Sequence, residues 1–172
     1  MEKRIFTVLF IAVFATMLGA GIIEPFMGIY AESLGANGLM IGLIFGSFTL
    51  SRALFTPFIG RISDLKGRKN LLLIGLAGYT VLSFFYAAAN TILSLTIVRF
   101  LHGLASAMIL PISMAYIGDI AQKNQEGKYL GTFTIAFFMG LAFGPIIGGA
   151  LHDIWHMNAA FYTMGTISFL SL

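Results

Sequence analysis

Residues Gly60–Lys69 read GRISDLKGRK, ten residues with five charges set between two stretches that carry almost none. Upstream, Ile41–Ile59 holds a single charge, Arg52, and downstream Leu71–Ala89 holds none. Hydrocarbon solvates neither an open backbone nor a charged side chain. The segment is therefore expected to be a short polar turn outside the bilayer, joining two spanning helices. Gly60 and Gly67 suit a close helix approach and a tight turn, and Asp64 and Arg68 stand four residues apart, close enough to pair on a helix.

The rest of the chain agrees with a membrane setting. Apolar residues make up 58% of it and charged residues 10%, with a mean hydropathy of +0.92. Soluble domains carry about 25% charged residues, so this composition cannot cover a water-facing surface. A span needs about 20 apolar residues. The pattern predicts spans at Ile5–Tyr30, Leu39–Ile59, Leu71–Ala89, Leu93–Ile120, Tyr129–Leu151 and Ala159–Leu172, the last short and cut off without a polar exit. The first, broken only by Glu24, is too long for a signal-peptide core of about 7–15 residues and reads as an uncleaved span. With the N-terminus cytoplasmic, Lys3, Arg4, Arg61, Lys66, Arg68, Lys69, Lys123 and Lys128 all fall inside, which is eight of the ten Lys and Arg residues. The outer loops have none, and this asymmetry sets the expected orientation. The net charge of +3 thus serves topology and does not indicate nucleic acid. The expectation is an all-α membrane protein over residues 1–172, one helical bundle with no soluble domain.

Most glycines lie in the spans, where small residues let helices approach. Gly42 and Gly46 form one such spaced pair, Gly140 and Gly144 another. In the fifth span Gly140-x-x-x-Gly144-Pro145-x-x-Gly148-Gly149 sets a helix-bending proline among small residues. The first span carries Gly19-x-x-x-x-x-Pro25, and the fourth Arg99-x-x-x-Gly103. In this order, and on these spans, the motifs resemble those of the major facilitator superfamily. Gly60-x-x-x-Asp64-x-x-Gly67-Arg68-Lys69 resembles its signature loop between helices two and three, with Leu65 where the family usually has Arg. The fifth-span motif resembles the antiporter branch. The first-span motif resembles the drug/proton antiporters, with Gly28 in place of their second proline.

The resemblance implies the N-terminal six-helix half of a major facilitator fold, its sixth helix truncated, in the cell membrane. It implies secondary transport, namely proton-coupled efflux of small, cationic or lipophilic molecules. It also implies a charge cluster of Arg68 with Asp119 that stabilises one conformation. A full transporter of this kind holds substrate between two such halves. The partner is then a C-terminal six-helix half or a second copy. The alternatives are a non-transporting fragment and a membrane scaffold or half-subunit needing a partner bundle.

Glu24, Arg52 and Arg99 lie within spans, where a charge costs about 2.5–3.5 kcal/mol at mid-bilayer and must face protein or a wet cavity. At 1.5 Å per residue Glu24 and Arg99 each lie about 9 Å from the outer ends of their spans, and Arg52 about 20 Å. Glu24 and Arg99 are thus matched in depth and expected to meet. Glu24 is the candidate for proton coupling or cation recognition, because burial and a neighbouring cation act on its charge in opposite directions. Arg99 and Arg52 are candidates for the same polar site. His152 and His156 have metal-like spacing but sit beside Trp155 in what reads as an interfacial loop, and no metal is assigned. The Ser and His residues look scattered, without acid–base partners, and nothing suggests an enzyme or a cofactor.

Orientation has a direct test in a chain that lacks cysteine. A cysteine at Ser63 should be shielded from an impermeant thiol reagent in intact cells, and one at His152 should label. Labelling of position 63 from outside would reverse the topology.

Overall fold

The computed structural model describes residues 2–155 and 157–172. Its elements are α1 (Glu2–Ser33), α2 (Gly38–Lys66), α3 (Arg68–Ala88), α4 (Ile92–Ala107), α5 (Leu110–Ile120), α6 (Glu126–Trp155) and α7 (Met157–Leu170). No strand occurs among the described residues. Among the described residues five stretches are long and apolar enough to cross a membrane, α4 and α5 together forming one of them. The sixth pass, α7, has 14 residues, about 21 Å of helix.

The polar segment that was expected to be a turn is mostly helix. α2 runs on to Lys66 and α3 starts at Arg68, so Gly67 alone lies between them. Its backbone, at φ 89° and ψ 144°, lies in a region that costs glycine little and other residues much. A helix that leaves the hydrocarbon still satisfies its own backbone, so nothing forces α2 to stop at Ile59. The same holds at the other end of the bundle. α6 continues to Trp155, so His152 and Asp153 stand on its last turn and not in a loop; His156 lies outside the described residues.

The fourth span is interrupted. Pro111 has no N–H for the carbonyl of Ala107, and its ring crowds that carbonyl. The chain closes the gap with tighter turns, Met108 N–H to Ala105 O at 3.0 Å and Ile109 N–H to Ser106 O at 3.1 Å. Pro25, Pro57 and Pro145 lie inside helices that run on unbroken.

The helices pack in the order α2–α4–α3–α7–α1–α6, with α5 reaching α6, α1 and α3. The α1–α6 seam is the most extensive. A Cβ on Gly144 would stand 2.5 Å from Gly21 Cα, and one on Gly148 would stand 2.3 Å from Ile22 O. Gly42, Gly46, Gly60 and Gly149 meet nothing within 4 Å. Gly42 and Gly46 are therefore not packing surface within this chain, because the face of α2 that carries them is uncovered. Large apolar residues point outward along α2, among them Leu43, Leu50, Leu54 and Phe58.

Gly144→Val is expected to destabilise the bundle by at least about 1–3 kcal/mol, because the added methyls meet backbone that cannot yield. Gly149→Ala, on the open face, should be neutral or slightly stabilising. Thermal unfolding in detergent distinguishes the two, and equal midpoints would refute the close α1–α6 seam.

Candidate functional site

Arg99 of α4 and Glu24 of α1 form a two-pronged ion pair, Nη1 to Oε1 at 3.0 Å and Nη2 to Oε2 at 3.1 Å. The two planar groups match fork to fork, the strongest geometry available to this pair of ions. Burial is unequal: the Arg99 side chain is 2% exposed and that of Glu24 38%. The guanidinium lies over Phe45 at 5.0 Å and over Phe48 at 5.3 Å from the ring centres. The aromatic faces give a dry cation further stabilisation. The pair links α1 to α4, whose backbones make little other contact.

Behind Arg99 lies an aromatic wall that the sequence reading missed. His102 is buried, and its Nδ1 hydrogen-bonds the Tyr86 hydroxyl at 2.9 Å. Its ring rests against Tyr79, centres 3.9 Å apart, and meets Phe48 edge-on. The Tyr79 hydroxyl donates to Thr16 O on α1 at 3.3 Å. His102 thus has a hydrogen-bonding phenol as partner and is not an isolated polar residue. Two spacings carried the signal: Arg99 and His102 three apart, and Tyr79 and Tyr86 seven apart, each pair on one helix face.

Arg52 is not part of this cluster. It is half-buried beside an open groove of about 490 Å³ with Thr49, Thr56 and Pro111. No carboxylate lies within ion-pair distance of it among the described residues.

At the basic end, Arg68 bridges two helices. Its Nε and Nη2 donate to the two oxygens of Asp119, the second bond at 3.1 Å. Its Nη1 lies 3.2 Å from Asp64 Oδ1, one turn back across Gly67. Lys69 is exposed and Gly60 faces open space. Of the fifth-span motif, Gly140, Gly144 and Gly148 face α1, while Gly149 points away. Gly19 packs against Met164 of α7, and Pro25 is exposed. His152 stacks on Phe26, ring centres 5.2 Å apart.

An all-helical bundle with apolar flanks, a charge pair inside and basic residues gathered at one end defines a multi-pass membrane protein. Residues 9–172 match the Major Facilitator Superfamily, and the chain belongs to that family. It is 42% identical over 171 residues to the MFS-type transporter MJ1560 of Methanocaldococcus jannaschii, covering 99% of this chain and 44% of that protein. It is 32% identical to the quinolone resistance protein NorA of Staphylococcus aureus, again over 99% of this chain and 44% of the relative. The chain thus spans somewhat less than half the length of these relatives. Among solved structures the human organic anion transporter MFSD10 (TETRAN) superposes with a TM-score of 0.83, at 20% identity, over 99% of this chain and 46% of that one. That likeness bears on the fold alone.

The unequal burial of the pair predicts unequal losses. Glu24→Leu strands a dry guanidinium and should cost about 3–5 kcal/mol, the range for breaking a buried pair. Arg99→Leu leaves a carboxylate that still reaches water and should cost less, while the double variant should recover much of the larger loss. Unfolding of the four proteins in one detergent measures the cycle. A smaller loss for Glu24→Leu than for Arg99→Leu would contradict the unequal burial.

Proposed function

We propose that this chain is the N-terminal half-bundle of a secondary transporter that expels small molecules in exchange for protons. Glu24 and Arg99 form its coupling pair. The observation that carries the reading is the half-buried two-pronged contact between α1 and α4. A carboxylate with one side open to water and the other on a fixed cation can exchange its charge for a proton when the cavity opens. Arg52, facing the groove beside α2, supplies polarity to the substrate path. Arg68, Asp119 and Asp64, hinged at Gly67, serve as the conformational switch. The name of NorA, given for quinolone resistance, favours a lipophilic small molecule as cargo.

A half-bundle does not enclose a substrate. Alternating access in such folds is one bundle rocking against another around a shared site. The uncovered face of α2, with Gly42, Gly46 and outward Leu43 and Leu50, suits a second bundle, either a C-terminal half or a second copy. The basic end, with the N-terminus, faces the cytoplasm of the cell membrane.

In proteoliposomes with an imposed pH gradient, and with a fluoroquinolone as probe, the chain joined to a matching C-terminal half should accumulate probe uphill. Glu24→Gln should reduce this to the level of empty vesicles while leaving insertion intact. Uphill accumulation retained by Glu24→Gln would move coupling elsewhere. Accumulation by the unaccompanied chain would make it a homodimeric transporter.

A further inference from the structure

Two buried nitrogens near the ion pair have no hydrogen-bond partner among the described residues, Arg99 Nε and His102 Nε2. A buried polar group left so is costly and calls for an explanation. Arg99 and His102 stand three apart on α4, the spacing at which side chains on a helix meet. Both also touch one ring, Phe48, with Arg99 over its face and His102 at its edge. An arginine Nε is always a donor, whereas an imidazole nitrogen donates or accepts according to tautomer.

We propose that His102 is a positioning residue that offers the Arg99 guanidinium an alternative seat once Glu24 takes up a proton. This rests on the reading of Glu24 as the proton-carrying group. When His102 Nδ1 donates to the Tyr86 oxygen, Nε2 presents a lone pair. Protonation removes the negative charge of Glu24 and with it the two-pronged acceptor. The guanidinium, 2% exposed, cannot turn to water and needs another acceptor. The unused Nε2 supplies one three residues further along the same helix, without displacing a partner.

The surroundings fit this assignment. α3 contributes Tyr79 against the His102 ring and Tyr86, whose hydroxyl lies between His102 and Arg99, and α1 contributes Glu24. The nearest cation on α2 is Arg52, and α5 carries its one charge, Asp119, at the basic end beside Arg68. α7 brings the Phe161 ring onto Tyr86 and no charged group. No second carboxylate competes for the freed guanidinium among the described residues.

The test reads protonation of Glu24 without any transport substrate. Dicyclohexylcarbodiimide modifies protonated carboxyls in apolar surroundings, and peptide mass spectrometry locates the adduct. In lipid nanodiscs, labelling of Glu24 should rise as pH falls. His102→Leu leaves the freed guanidinium with no seat, so the protonated state is penalised and the midpoint should move about one pH unit to acid, the scale of a hydrogen bond to a charged group. His102→Gln keeps an acceptor and should restore the wild-type midpoint. Tyr86→Phe removes the acceptor that fixes the tautomer and should shift in the acid direction too. If His102→Leu fails to insert, His102→Phe, a ring without an acceptor, carries the test. An unmoved midpoint in His102→Leu or in Tyr86→Phe overturns the proposal, as does a shift in His102→Gln equal to that in His102→Leu. A Glu24 that never labels overturns this proposal and the coupling reading together. Transport retained by Glu24→Gln would refute coupling alone, because the labelling midpoints are read independently of it.

Discussion

Hydrocarbon offers no partner to a charge or a free backbone group, and that constraint arranges everything else in this chain. It makes every pass helical. It gathers the basic residues at one end, and it compels the two deep ions, Glu24 and Arg99, to find each other across α1 and α4. The contact is costly to assemble, since Arg99 loses nearly all its water and Glu24 part of its own, and it returns that cost only through good geometry and the aromatic faces of Phe45 and Phe48. A pair so balanced is a poor device for stability. Removing either charge leaves the other without its partner, so the contact between α1 and α4 is sensitive to any change in the charge of Glu24 or Arg99.

Close packing supplies the rigidity that the ion pair does not. The α1–α6 seam depends on Gly21, Gly144 and Gly148, where backbone lies on backbone and no side chain can adjust. Without a hydrophobic force between helices in lipid, such dispersion contacts are a principal source of association. α1 is therefore fixed on its α6 side and tied to α4 mainly through Glu24. A displacement of α4 relative to α1 meets one ion pair and little else.

Much of this was legible in the residues. Span existence followed from apolar length, and the meeting of Glu24 with Arg99 followed from matched depth, because rise per residue is fixed in a helix. The Arg68–Asp119 contact was visible only through family resemblance, since a separation of 51 residues hides it from any local pattern. Helix ends were misplaced where the reasoning used hydrocarbon thickness, as at Ile59 and Leu151, because a helix continues into water until a residue such as Gly67 stops it. Small residues could not be assigned to faces from spacing alone: Gly140 and Gly144 pack inward, while Gly42 and Gly46, equally spaced, face out. His102 escaped notice because its partner phenol is on another helix, and only its three-residue distance from Arg99 hinted at a shared face.

The break at Met108–Ile109 joins these observations. The fourth span carries Arg99 on one side of the break and Asp119 on the other, so two of the three interhelical ion pairs attach to one pass, one to each side of its break. An unbroken helix would transmit any rotation at Glu24 directly to the Arg68 cluster about 30 Å away, twenty residues at helical rise. With Pro111 removing a backbone hydrogen bond between them, the two halves can differ in tilt at lower cost than in a regular helix. The upper half is held by α1, α2 and α3 through Arg99 and its aromatic wall. The lower half is held by Arg68 at the start of α3 and by packing against α6 and α1. α3 touches both halves, with Tyr86 near one end and Arg68 at the other, and it is the element through which the two charged sites remain in mechanical contact.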